Sequence, residues 1–220
     1  DKTKLKAAVD ACVGKVASGV GCCAAGADCG VAGTGAGATE MPCWDVSLVT
    51  DMEDLFKNKA QFNADISKWK TGLVTTMKGM FNGAAAFNQA IPTDGTKWKM
   101  TAVTDMEGMF QGAKVFNQAL LTWDTKAVKN MKNMFNGAEA FNKEIAGTSP
   151  AWDVSAVTTM EGMFQGAKAF DNEVKDTIKT WVTSAVTNTK NMFNGAEAFK
   201  RDIPTDGTKW KMTAVTDMEG

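Results

Sequence analysis

Seven tryptophans recur at intervals of 25 or 29 residues, and this period constrains the fold more than any other feature of the sequence. A valine follows each tryptophan by five residues, and phenylalanines follow the first six by 12 and 18 residues, which accounts for every phenylalanine in the chain. The tryptophans are Trp44, Trp69, Trp98, Trp123, Trp152, Trp181 and Trp210. Because one such unit is too small to bury its own aromatic side chains, the period predicts copies that stack on one another.

Within each repeat, apolar residues lie three or four positions apart, as in Val74, Met77 and Met80. This spacing is typical of an amphipathic helix. The sequence from Thr50 to Glu53 has the form of a capping box, and glycines about two turns later, such as Gly83, suit a left-handed helix end. The segment that follows, 62–66 in the first repeat, predicts a brief strand. The repeats therefore predict an α/β solenoid of short parallel strands and two-turn helices.

The longer repeats carry four extra residues, all inserted between the closing aliphatic residue and the next tryptophan. All insertions therefore line one edge of the predicted solenoid. Insertions on one face of a repeat array often mark its binding face, although neutral length variation in an exposed turn explains them equally well. The candidate interaction edge consists of Thr93, Asp94, Gly95, Thr148, Ser149, Thr205, Asp206 and Gly207.

Residues 1–43 differ from the repeat region, residues 44–220, which holds six complete repeats and a truncated seventh. Apolar residues at helical spacing predict a helix from Lys2 to about Ala17 that caps the first coil. All five cysteines precede the repeats, which favours disulfide stapling in an oxidising compartment over a metal site, because they form no zinc-knuckle spacing. An odd number leaves one thiol free, paired between chains or bonded elsewhere. The disulfide candidates are Cys12, Cys22, Cys23, Cys29 and Cys43.

Composition excludes several functions. The 24 basic and 25 acidic residues give a net charge of −1, which provides no basic footprint for nucleic acid or anionic lipid. The chain has no histidine, so Ser-His and Cys-His pairs and imidazole metal ligands are excluded. No dinucleotide-binding or phosphate-loop motif is present. The longest apolar runs are too short to span a bilayer. The sequence therefore predicts no enzymatic activity, no cofactor, no metal, no nucleic-acid partner and no transmembrane segment.

Polar residues also recur in columns, and each column has a structural interpretation. Carboxylates such as Asp51, Asp105 and Asp217 suggest calcium binding, but the first turn of a helix explains them better. Threonines such as Thr104 resemble ice-binding arrays, but capping explains them and Lys129 interrupts the series. Asparagines recur 19 residues after tryptophan, and they suggest either a ligand ladder or, as we predict, a buried amide ladder that bonds the turns of adjacent coils. Its members are Asn63, Asn88, Asn117 and Asn142. The recurring methionines and tryptophans predict a hydrophobic core rather than a cofactor pocket.

The repeat from Trp44 to Trp69 resembles the BspA-like leucine-rich repeat of surface proteins, which occurs in bacterial cell-surface proteins and in marine microalgae. The resemblance rests on Trp-Asp-Val-Ser-Leu-Val-Thr-Asp-Met at 44–52 and Phe-Asn-Ala-Asp-Ile at 62–66, and it covers residues 44–220. It implies a leucine-rich-repeat-like right-handed coil used in adhesion or protein contact, with no catalytic residues. The sixth repeat departs from the pattern at Val182, Thr183 and Thr189.

These observations predict a non-enzymatic structural or protein-interaction protein that is exported, at a cell surface or in an oxidising lumen. It would belong to a cell surface or appendage, or serve as an accessory subunit of a large assembly, such as the lumenal side of an algal membrane complex. A carbohydrate- or small-ligand-binding adhesin module that uses the inserted loops is the alternative.

Residues 203–220 repeat residues 91–108 without change, and the array stops inside a repeat. We therefore expect the polypeptide to continue or a partner to cover its end.

Overall fold

The repeats are built from turns, and regular secondary structure is sparse. The computed structural model describes residues 1–22, 41–92, 96–121, 123–145, 152–171, 177–200, 203, 209–211 and 214–215. In these ranges one α-helix, α1, spans Lys2–Lys15, and two short 3-10 helices span Met41–Cys43 and Thr177–Thr180. The described residues form no extended β-strand and no second α-helix.

The predicted α/β solenoid, a leucine-rich-repeat-like coil of parallel strands and two-turn helices, is therefore wrong. The predicted helix from Thr75 to Gly83 is a bridge residue followed by consecutive turns, and the predicted strand at 62–66 is irregular. The repeats do stack, and we call each one a coil, numbered from the first at Trp44 to the sixth at Trp181. One residue per coil forms an isolated parallel β-bridge to its counterpart in the next coil. The bridged series is Asp51, Thr76, Asp105, Asn130, Thr159 and Asn188.

Backbone hydrogen bonds explain why apolar residues at a spacing of three and four do not form a helix here. In the first coil, the N–H groups that donate to carbonyls of the second coil, at 2.7–3.1 Å, are those of Met52, Asp54, Phe56 and Asn58. The intervening N–H groups of Leu55 and Lys57 donate three residues back along the chain. Because alternate N–H groups bond outward to the next coil, the continuous i to i−4 series of an α-helix cannot form.

Two residues in every coil adopt the left-handed backbone conformation, ten and fourteen residues after the tryptophan. In the third coil these are Gly108, with φ of 57°, and Gly112, with φ of 67°. Where another residue occupies either column it is Asp or Asn, which tolerate this conformation better than other side chains do. Those residues are Asp54, Asn58, Asn133 and Asn191. Gly83 has positive φ as predicted, but it belongs to a series of turns and does not end a helix.

We expect Gly137→Ala to lower the free energy of unfolding by about 1–2 kcal/mol. Gly137 has φ of 68°, and an added Cβ would lie 3.7 Å from the Gly112 Cα, an ordinary contact, so the cost arises from the backbone conformation. Gly72→Ala is the matched control, because Gly72 lies outside the left-handed region and its Cβ would come no closer than 3.8 Å to Lys99. The control should be neutral or slightly stabilising. Equal losses in urea denaturation would contradict this account.

The core consists of aromatic columns that run from coil to coil. Phe110 stacks on Phe81 and Phe135 with ring centroids 5.4 and 5.6 Å apart, and on Phe116 of its own coil at 4.0 Å. Every tryptophan is at most 4% exposed. The methionines eight and eleven residues after tryptophan are buried wherever the structure describes them. The prediction that the Trp, Phe and Met columns form the core is confirmed, with only the sixth-coil phenylalanines partly exposed.

Helix α1 lies against the first coil. The Asp1 side chain accepts a hydrogen bond from the Lys4 N–H at 3.0 Å and so caps the helix, which ends at Lys15 rather than near Ala17. Its apolar face is buried in the common core through Leu5, Ala8, Val9 and Cys12. At its start, the Lys2 Nζ lies 3.0 Å from Asp51 and 3.1 Å from Glu53 in the first coil. The predicted N-terminal helix therefore forms and covers the first coil.

Candidate functional site

The candidate interaction edge lies outside the described residues. This holds for Thr93, Asp94, Gly95, Thr148, Ser149, Thr205, Asp206 and Gly207. The interaction edge therefore stays a prediction, and the sites that follow are built from other residues.

The cysteines that the structure describes divide into one disulfide and one free thiol. Cys12 in α1 bonds to Cys22, ten residues later, with their Cα atoms 5.1 Å apart, and both residues are buried. Cys43, just before the first tryptophan, is free and exposed. Cys23 and Cys29 lie outside the described residues. The disulfide ties the end of α1 to the segment that follows it.

The threonine and aspartate columns stabilise stacking and turns instead of capping helices. The hydroxyl six residues after tryptophan donates to the backbone carbonyl of the preceding coil at 3.0–3.3 Å, as Thr104 does to Thr75. The next residue accepts a hydrogen bond from the N–H two positions on, as Asp105 Oδ1 does from Glu107 at 2.9 Å. All six described coils contain this second bond. The predicted capping boxes are therefore wrong, and the acidic residues are accounted for by turns.

The predicted ladder of asparagines between coils is confirmed, but it is half-buried rather than buried. The Asn63 side-chain oxygen accepts the backbone N–H of Asn88 at 2.9 Å, and Asn117 and Asn142 continue the series at the same distance. Asp171, which departs from the asparagine pattern, keeps the ladder by accepting the Lys200 N–H at 3.1 Å. The column is half-buried, and because each side chain satisfies the backbone of the next coil, it holds adjacent coils in register.

Acidic and basic side chains alternate nine residues after tryptophan. The series is Glu53, Lys78, Glu107, Lys132, Glu161 and Lys190. Lys78 lies 3.1 Å from Glu107, and Lys132 lies 2.9 Å from Glu161. Burial acts to raise the pKa of Glu107, but hydrogen bonds from Lys78 and from the Asn130 amide outweigh burial and hold that pKa below its ordinary value. Glu107 is therefore a charged link between coils.

The lowered pKa of Glu107 predicts sensitivity to acid. A carboxylate whose pKa is depressed on folding contributes stability above its unfolded pKa, about 4.3, and this contribution is lost as the pH falls through the folded value. We therefore expect Glu107→Gln to destabilise the protein at pH 7 and to flatten the loss of stability between about pH 5 and pH 3. Urea denaturation across that range measures the slope. Glu197→Gln, which removes an exposed carboxylate from the sixth coil, is the control and should leave the slope nearly unchanged.

Four lysines flank two buried tryptophans on adjacent coils, and we call them the lysine patch. They belong to the Lys-Trp-Lys sequences at 68–70 and 97–99, and they are Lys68, Lys70, Lys97 and Lys99. Trp69 and Trp98 are buried, whereas the lysines on either side are exposed, except for half-buried Lys97. Buried Thr71 holds the two segments together. Its N–H donates to the Lys97 carbonyl at 3.0 Å, and its hydroxyl bonds the Lys99 backbone at 2.9 and 3.1 Å.

Two exposed leucines occupy equivalent turns in the first and second coils, and we call them the leucine tips. Leu73 follows Lys70 by three residues, and a Cβ on the adjacent Gly72 would lie 3.8 Å from the Lys99 side chain. The turns are closed by hydrogen bonds from the N–H of Val49 to the carbonyl of Val46 and from Val74 to Thr71. Leu48 is 77% exposed and Leu73 is 52% exposed. The corresponding position in each later coil is alanine. Sequence reasoning missed this surface, although the repeated Lys-Trp-Lys sequence was a usable signal.

Comparison with known proteins gives one family. The family model described as Mycoplasma protein of unknown function, DUF285, matches residues 32–148, 91–177 and 145–220. No curated protein and no solved structure matches the chain. In the described ranges no helix combines the length and apolarity needed to cross a membrane. Among the same residues, no three carboxylates or cysteines are grouped so as to hold a metal ion.

Proposed function

The chain belongs to the DUF285 family, and we propose that it acts as a non-enzymatic structural and protein-interaction protein whose stacked coils serve as a scaffold. The observation that carries this proposal is that the recurring polar side chains form bonds within the stack of coils. Aspartates close turns, asparagines bond the next coil, and glutamates pair with lysines between coils. Groups able to perform acid–base chemistry are thus engaged in holding the stack. Such an array presents other side chains outward at a regular spacing, which suits recognition of an extended partner.

We further propose an extracellular or lumenal location, on a cell surface, in an appendage or within a large assembly. The Cys12–Cys22 disulfide supports this, because disulfides persist mainly in oxidising compartments. The resemblance of the repeats to BspA-like surface proteins supports a role in contact between cells or proteins. In each of these settings the stacked coils act as the scaffold, and only the partner differs.

Fractionation of native cells tests the proposal. The peptide from Asn191 to Lys200 can be followed by mass spectrometry through wall, secreted, cytosolic and gently solubilised membrane fractions. We expect it either in surface material or comigrating with a large complex on a density gradient. Recovery as a free monomer in the reducing cytosol would overturn both the location and the scaffold role.

A further inference from the structure

We propose that the lysine patch and the leucine tips form a docking surface for an anionic membrane, so that the protein binds peripherally to lipid. This inference goes beyond the scaffold function and does not rest on it. The first three coils contribute the surface: leucines from the first and second, and lysines from all three. Interfacial binding by proteins combines these two ingredients, apolar side chains at the acyl boundary and lysines at anionic headgroups.

The charge of the lysine patch is not neutralised within the described chain. None of its four lysines lies within 4.0 Å of a carboxylate in the described ranges, whereas lysines such as Lys78, Lys132 and Lys168 form ion pairs. One carboxylate, that of Asp45, lines the same recess as Lys68 and Lys70. Hydrogen bonds from Ser47 are the main cause of its lowered pKa, and Lys70 contributes. The net charge of −1 is a sum over the whole chain, so it does not report a local cluster of lysines.

The backbone places the two Lys-Trp-Lys segments side by side. Within each Lys-Trp-Lys segment the tryptophan is buried, so the lysines on either side point away from the core. Thr71 bonds the backbone at both Lys97 and Lys99, which places one segment directly beside the other. Lys68 and Lys70 also line a recess of about 210 Å³ together with Cys43 and Asp45. A headgroup phosphate that enters this recess would lie near both ammonium groups.

The leucine tips distinguish a membrane from other anionic partners. Leu48 and Leu73 lie on adjacent coils, and Leu73 is three residues from Lys70. Both expose apolar surface that a purely ionic ligand would leave in water. Single-stranded nucleic acid is bound largely through stacking on aromatic side chains, and here the described tryptophans and phenylalanines lie in the core. A sulfated polysaccharide would use the lysines alone. The combination of the leucine tips with the lysine patch therefore favours a lipid surface.

Vesicle cosedimentation tests the inference. The probes are phosphatidylcholine vesicles with and without about one third phosphatidylglycerol, at low salt and at a salt concentration high enough to screen surface charge. We expect binding only to the anionic vesicles, reduced by salt. Lys70→Gln/Lys99→Gln should weaken partitioning about 25-fold, because each lysine near an anionic surface contributes about 5-fold. Leu48→Ser/Leu73→Ser should also weaken binding, without changing its dependence on salt.

Matched controls separate the surface from overall charge. Lys126→Gln/Lys143→Gln removes two exposed lysines from the fourth coil and changes the net charge equally, so it should reduce binding much less. All substituted side chains are exposed, and circular dichroism checks that each variant folds. Equal binding to neutral vesicles, an equal loss in both lysine pairs, or full binding by the leucine variant would overturn the proposal. Retention on a sulfated polysaccharide without vesicle binding would overturn it in favour of a glycan.

Discussion

Phe110→Ala is expected to lower the free energy of unfolding by about 3–5 kcal/mol, the largest effect of any single substitution considered. Phe110 is fully buried in the third coil and stacks on rings of the second, third and fourth coils. Its removal leaves a cavity that the coils cannot close, because hydrogen bonds fix the spacing between them on both sides. Differential scanning calorimetry and urea denaturation measure the loss.

Phe193→Ala is the matched control for this prediction. Phe193 occupies the same column in the sixth coil, but it is only partly buried, with stacking contacts to Phe164 and Phe199. Truncating it should cost clearly less than truncating Phe110, because a more exposed ring loses less transfer free energy and leaves a smaller cavity. Equal losses at the two positions would show that the phenylalanine column does not gain its stability from enclosure between coils.

Loss of the Cys12–Cys22 disulfide should have the second largest effect, about 2–4 kcal/mol for a loop of this size. The ten-residue separation means that the bond restricts only the end of α1 and the segment after it. We therefore expect Cys12→Ala/Cys22→Ala to reduce hydrogen-exchange protection most strongly in α1, while the central coils keep theirs. Local loss is expected because each coil contacts mainly its neighbours.

Cys43→Ala provides the control for the disulfide, since this thiol is exposed and free. Without a reductant, it should leave hydrogen exchange in α1 unchanged. A dithiol reductant added to the unsubstituted protein should reproduce the behaviour of the double variant. Unchanged protection of α1 in the double variant would show that burial of Leu5 and Val9, together with the Lys2 ion pairs, holds the helix without the bond.

Burial was predictable from the sequence because the tryptophan period reports it directly. Side chains that recur in the same column share one environment, so the buried columns and the asparagine ladder could be assigned without coordinates. The glycines fourteen residues after tryptophan also identified a left-handed position correctly. Helix α1 followed from apolar spacing in a segment outside the repeats. Each of these inferences depends on residues within one repeat or one helix.

Only the stack of coils decided whether the repeat forms helices or turns. A spacing of three and four residues fits both, and the difference lies in where alternate N–H groups, such as those of Met52 and Phe56, find their acceptors. In an isolated segment the acceptor lies four residues back, whereas here the next coil supplies it. The same stacking brings 68–70 beside 97–99 and so creates the lysine patch. The sequence by itself determined which side chains are buried, and contacts between coils determined the backbone path and the charged surface.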